Sequence, residues 1–323
     1  MGRKNLVVTS SIKNYLELMR INYWFKNIFV IPGIFFSYFL VAKVDLNFFF
    51  LKKILVAFFS IFSACSANYV INEITDSKFD RFHKDKKNRP IVTGAIKKTN
   101  AIFLFFMLIF ISLYLSLKIN IFFSLLIAIL LVSGIFYNLE PLRLKDIPIL
   151  DVISESFNNF LRLLLGWSIF HPGYLPPISL CIIFWSGGAF LMFMKRYAEY
   201  NFLSSKKISS LYRKSFAFYN SQNLMSLGVS SAFVCCVFIG IFLVKYKIEF
   251  ILLIPFVVGV FGHYTYISML KNSKAQSPEY LYQDKTLVFL IICIFILLNI
   301  LLNSKFAFLE IFNFGIIKNN FIK

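Results

Sequence analysis

Residues 72–90 read NEITDSKFDRFHKDKKNRP. The stretch closes a long apolar run and sets carboxylates directly against cations. Counting back into that run, Asn68, Asn72, Asp76 and Asp80 recur at every fourth position. On an α-helix this interval lines all four along one face, with Glu73 one position off it. Stacked carboxylates repel unless a cation lies between them. Hard oxygen donors of this kind suit Mg²⁺, which keeps some waters and takes the rest of its shell from phosphates. Cations follow at once: Arg81, His83, Lys84, Lys86, Lys87 and Arg89. Metal with Lys and Arg is a polyphosphate-holding set, Arg gripping in bidentate fashion and Lys acting as a point charge. The bland alternative is a solvated loop that only sets topology. Periodicity within an apolar helix weighs against it, because a carboxylate at membrane depth is costly and usually functional. Pro90 and Gly94 end the loop.

The rest of the chain supplies the setting. Its 323 residues are 59% hydrophobic, with mean hydropathy +0.73 and 42 Phe. The apolar residues fall in continuous runs of about 20, the length that crosses ~30 Å of hydrocarbon as a helix. Continuous rather than alternating runs argue against a β-barrel. The expected fold is all-α and polytopic, with about nine transmembrane helices near 24–42, 54–75, 100–117, 120–137, 150–170, 175–194, 225–244, 249–269 and 286–302. The fifth is the least apolar. It carries Asp151, Glu155, Asn158, Asn159 and Arg162, which must face a cavity or a partner rather than lipid.

Most of the 34 Lys and Arg lie in the N-terminal segment and in the loops after spans two, four, six and eight. The positive-inside rule makes that side cytoplasmic, with the N-terminus in and the C-terminus out. The formal charge of +19 is thus explained by topology and anionic lipid rather than by nucleic acid, with an anionic substrate as a further contributor. The first 22 residues form a polar, basic segment with no cleavable signal. No linker divides the chain, so 1–323 is expected as a single integral membrane domain ending in a 303–323 tail. The five cysteines fall inside apolar runs and read as buried thiols. His171 and His263 are placed at or near the outer face and given no chemistry.

The motif N-E-x-x-D-x-x-x-D resembles the N-D-x-x-D-x-x-x-D signature of the UbiA superfamily of intramembrane prenyltransferases, departing from it at Glu73. The continuation D-R-F-H-K-D-K-K-N-R-P-I-V-T-G is similar to the pattern of one branch, the decaprenyl-phosphate phosphoribosyltransferases, with Lys84 where that branch has Pro. The likeness runs on through YNLEPLRLKDIPILD (137–151), where Tyr137 and Lys145 match, and FNNFLRLLLG (157–166), where Arg162 and Gly166 match. In KRYAE (195–199), Lys195, Arg196 and Glu199 stand where aromatic prenyltransferases carry a second acidic motif. SPEYLYQD (277–284) is a weaker match.

The resemblance implies a UbiA-like helical bundle around a central cavity open to the cytoplasmic side of a bacterial membrane. It implies Mg²⁺ held by Asn72, Glu73, Asp76 and Asp80, with Asn72, Asp76 and Asp80 as the catalytic set. Substrate would be bound by Arg81, His83, Lys86, Lys87, Arg89, Tyr137, Lys145, Arg162, Lys195, Arg196 and Glu199. The implied reaction moves 5-phosphoribosyl from phosphoribosyl pyrophosphate to a polyprenyl phosphate, in contact with membrane lipids; a homo-oligomer is left open. Single residues also have plainer roles open to them. Lys195 and Glu199 form an ordinary helix ion pair by spacing, Lys145 is a topological cation, and Tyr137 is an interfacial aromatic. Two rival functions remain. One is prenyl transfer from a prenyl diphosphate to an aromatic acceptor, for which KRYAE is the wrong second motif. The other is transport, for which the carboxylates lie at the membrane edge rather than its centre and no internal repeat is evident.

Overall fold

A computed structural model describes residues 12–41, 47–81, 86–202, 214–271, 273–276 and 278–306. These contain helices and no strand. Within them nine long helices follow one another: α1 (Ile12–Leu40), α2 (Phe48–Asp80), α3 (Lys98–Leu117), α4 (Ile121–Asn138), α5 (Leu150–Phe170), α6 (Ile178–Phe202), α7 (Ser221–Tyr246), α8 (Ile248–Met269) and α9 (Lys285–Asn303). Eight are long and apolar enough to span a bilayer. The exception is α5, which carries Asp151, Glu155 and Arg162 and so falls below the apolar standard of its neighbours. Large apolar side chains stay on the outside, among them Phe103, Phe110 and Ile121, each more than 70% exposed. In water such a surface would be untenable; against lipid tails it is the expected coat, and the chain is an integral membrane protein.

The chain forms two compact units. The first comprises Met1–Pro176 with Ser210–Ser215 and holds α1 to α5. Small residues let its helices meet backbone to backbone, as they must where lipid offers no hydrophobic driving force. Gly33 of α1 and Gly166 of α5 face each other so closely that a Cβ on Gly33 would lie 2.1 Å from the Leu163 carbonyl oxygen, and one on Gly166 2.1 Å from that of Val30. Ser37 Oγ donates to the Trp167 carbonyl at 3.1 Å on the same seam. Between α2 and α3 the contact is reciprocal: Ser60 Oγ donates to the Ser112 carbonyl and Ser112 Oγ to the Ser60 carbonyl, both at 2.8 Å. Asn120 caps α4 by accepting from the Phe123 N–H, and its amide donates to the Ser168 carbonyl at the end of α5.

The second unit comprises Pro177–Ser209 with Phe216–Lys323 and holds α6 to α9. Its core gathers Phe190, Met194, Tyr264, Ile267 and Leu287. Asp284 is the N-cap of α9, accepting from the Leu287 N–H at 2.9 Å, and the same Oδ1 lies 2.8 Å from His263 Nε2. His263 therefore sits beside the loop joining α8 to α9, on the basic side. This corrects its expected place near the outer face: residue 263 is in the last two turns of α8, which ends at Met269.

Candidate active site

α2 is 33 residues long, and its last three turns carry the acidic stripe beyond the apolar stretch. A turn deeper, Asn68 donates to the Leu130 carbonyl at 3.0 Å, its Oδ1 pressed onto Gly134 where no Cβ would fit. Asn72 donates to Asn138 Oδ1 at 2.6 Å. Asp76 accepts at Oδ1 from both Lys145 Nζ (2.7 Å) and Arg143 Nη2 (2.9 Å). Asp80 pairs with Arg89. Lys145, only 6% exposed, also donates to Asn138 Oδ1 at 3.0 Å, so Asn72, Asn138, Lys145 and Asp76 form one continuous network.

Each cation is positioned by its own local structure. Arg89 follows the short turn Lys86–Asn88, and Gly94 takes a left-handed backbone (φ 79°) where the loop turns toward α3, a conformation glycine adopts without penalty. Arg143 and Lys145 lie on the loop after α4. Arg143 has φ 28°, rare for a residue with a side chain, and its guanidinium spans Asp76, Asp146 and the Asn138 carbonyl. Lys214 lies 3.5 Å from Asp146. A cavity of about 610 Å³ lined by Glu140, Arg143, Asp146 and Lys214 opens beside this pair. Lys86 acts on Asp76 through space.

The remaining expected residues lie as follows. Glu73, 1% exposed, accepts from the Ile91 N–H at 3.1 Å and so ties α2 to its own following loop. Arg81 and Lys87 are exposed, and His83 lies outside the described residues. Tyr137 donates to Glu155 at 3.1 Å. Arg162 donates to Asn27 (3.0 Å), Asn159 (3.2 Å) and the Cys65 sulfur, joining α1, α2 and α5, while Asp151 accepts from Ser215. In the second unit Arg196, 3% exposed, bonds Glu199 at 2.7 Å, with Lys195 3.9 Å from the same carboxylate.

Sequence reasoning passed over Asn138 and Arg143. Their signals were a lone amide ending the apolar run of α4 and an Arg two positions before Lys145. Chemically, the first unit presents two carboxylates a turn apart, amides beside them, and cations already in contact. Among the described residues no three His, Cys, Asp or Glu side chains gather into a closed metal cage. The hard-oxygen donors present fit a divalent cation that draws the rest of its shell from a ligand.

The profile of the UbiA prenyltransferase family matches residues 29–292. The chain is 27% identical over 241 residues, 71% of its own length and 68% of the other's, to the decaprenyl-phosphate phosphoribosyltransferase of Mycolicibacterium smegmatis. It is 25% identical over 155 residues to the uncharacterized protein y4nM of Sinorhizobium fredii, covering 48% of this chain but only 28% of that longer one. A UbiA homologue from Archaeoglobus fulgidus, solved bound to GPP and Mg²⁺, shares the fold with a TM-score of 0.68 at 20% identity, over 87% of this chain and 99% of the other.

Proposed function

The chain belongs to the UbiA prenyltransferase family, and we propose that within it the chain is a Mg²⁺-dependent phosphoribosyltransferase. It moves the 5-phosphoribosyl group of phosphoribosyl pyrophosphate onto a polyprenyl phosphate. The observation that carries this reading is the second segment, KRYAE, where a buried Arg196 and Lys195 flank a single carboxylate, Glu199. Prenyl transfer asks the enzyme to hold one diphosphate. Phosphoribosyl transfer asks it to hold a diphosphate, a 5-phosphate and a lipid phosphate, so cations replace acids. The Mycolicibacterium relative supports the same choice.

The chemistry follows from the groups present. An oxygen of the lipid phosphate attacks C1 of the ribose; the C1–O bond to pyrophosphate breaks with both electrons leaving on pyrophosphate. The nucleophile is already an anion, so no strong general base is needed. Charge at C1 is oxocarbenium-like, as in other glycosyl transfers, and catalysis is mainly positioning and stabilisation of the leaving group. Asn72, Asp76 and Asp80 would hold Mg²⁺, which when bound neutralises the pyrophosphate oxygens. Arg143 and Lys145 keep Asp76 Oδ1 fixed and stand ready to contact the same oxygens, and Lys86, Lys87 and Arg89 add charge along the loop. Lys195 and Arg196 hold a second phosphate. Glu73 holds the loop that carries these cations. The site faces the cytoplasm of a bacterium, N-terminus in and C-terminus out.

The test is transfer of radiolabel from phosphoribosyl pyrophosphate into the organic phase by purified protein. Label that appears only when polyprenyl phosphate and Mg²⁺ are both present supports the reaction. No transfer across several lipid lengths, with activity instead from a prenyl diphosphate and an aromatic acceptor, replaces it by prenyl transfer.

A further inference from the structure

Arg20 lies in the first unit, on the N-terminal part of α1, and neither the motif nor the reaction above uses it. Its guanidinium sits over two aromatic rings, 5.3 Å from the centre of Tyr69 and 5.9 Å from that of Tyr23. Its Nη2 reaches Asn72 Oδ1 at 3.4 Å, a long hydrogen bond onto the acidic stripe itself. Among the described residues no carboxylate pairs with it at ion-pair distance; Glu73 and Arg89 act on it through space, and Glu73 directs an oxygen to the Ile91 N–H. A half-buried guanidinium that is always charged, held by ring faces and one amide, lacks the anion such a group ordinarily meets.

The backbone holds it there at a cost. Arg20 has φ 50° and ψ 52°, left-handed for a residue with a side chain, and strain of that sort persists only where the surroundings impose it. Here they do. Trp24 stacks on Phe62 at 4.4 Å and donates to Ser66, and Ser66 donates to the Met19 carbonyl just before the strained residue. Lys26, 4.8 Å from the Tyr23 ring centre, brings a second cation to the same aromatic group.

We propose that Arg20 is a substrate-binding residue that takes the phosphate of the lipid acceptor. Its level on α2 selects that phosphate over the donor's. Asn72 precedes Asp76 by one turn, ~6 Å nearer the apolar stretch, and a lipid phosphate reaches the site from that side while a water-soluble donor reaches it from the loops. The assignment rests on the phosphoribosyl-transfer reading, and its test separates the two. In detergent, wild-type protein is titrated with a polyprenyl phosphate and with the polyprenol of equal length, and thermal stabilisation is followed. Asn tolerates the left-handed backbone, so Arg20→Asn removes the cation and not the conformation.

The expected result is that the phosphate lipid binds wild type more tightly than the alcohol does. The difference falls about ten-fold or more in Arg20→Asn, the size of one charge-assisted contact. It is partly restored in Arg20→Lys, and binding of phosphoribosyl pyrophosphate stays unchanged. A phosphate preference equal in wild type and Arg20→Asn overturns the proposal, as does a loss confined to phosphoribosyl pyrophosphate. Should wild type make no labelled lipid while the phosphate preference still vanishes in Arg20→Asn, the site stands and the transfer reaction falls.

Discussion

Asp76 and Asp80 differ in their company. Asp76 keeps both of its close contacts, Lys145 and Arg143, on Oδ1, while among the described residues Asp80 has Arg89. Replacing either by Asn keeps the shape and removes the charge a divalent cation needs. Asp76→Asn and Asp80→Asn are each expected to lower Mg²⁺-dependent turnover about 100-fold or more, the scale of losing one electrostatic group aimed at developing charge. The protein should still fold in detergent but melt lower, because Lys145, Arg143 or Arg89 loses its counter-ion. Full activity in both would remove the metal from the site. The acidic stripe was legible because polar side chains four residues apart in an apolar helix must share one face and be kept from lipid. Arg143 and Asn138 were not, because a cation or an amide at a membrane edge is common and only the third dimension brings it to Asp76. Arg20 was hidden for the same reason: Asn72 lies 52 positions away.

At the scale of helices, the α1–α5 seam brings backbone against backbone. Gly166→Ala puts a methyl 2.1 Å from a backbone oxygen of α1, and backbone cannot swing aside. The expected loss is about 1–3 kcal/mol, read as a lower melting temperature in detergent. Gly173→Ala, with nothing within 4 Å, is the matched control and should leave it unchanged. The α8–α9 junction makes a prediction in pH. Burial works against the charged form of Asp284, but the Leu287 N–H, the His263 bond, the His263 charge and Lys274 outweigh it and hold the carboxyl below its ordinary value. A carboxyl depressed in the fold stabilises it fully above the unfolded value, about 3.9 for Asp, and loses that contribution as pH falls through the folded value. Melting temperature should therefore decline below about pH 4 in wild type and less steeply in Asp284→Asn, which keeps the cap. Equal slopes would mean the ion pair adds nothing.

For the molecule as a whole, parity is the open variable. Continuous apolar runs predicted nine transmembrane helices and made their number legible; the boundaries moved because polar turns such as those ending α2 continue the helix beyond the membrane. Apolarity alone admits eight crossings, since α5 is the charged one. Its 21 residues nonetheless span ~31 Å at 1.5 Å each, and Asp151 and Arg162 are buried against protein. Nine crossings put the two ends on opposite faces. A C-terminal fusion that fluoresces only in the cytoplasm should stay dark, and one active only outside should work; the reverse would leave α5 uncrossed.

The paired seryl contact between α2 and α3 bears on how such a protein is made. Ser60 and Ser112 satisfy each other's helix without help from any other part of the chain. The two helices are consecutive, so the clasp can close as soon as α3 leaves the ribosome. The helix bearing Asp76 and Asp80 can then dock during synthesis, before the loop that supplies Lys145 and the helix that supplies Arg162 exist. Closing the α2–α3 hairpin first would hold the costly carboxylates at the membrane edge until their cation partners are made.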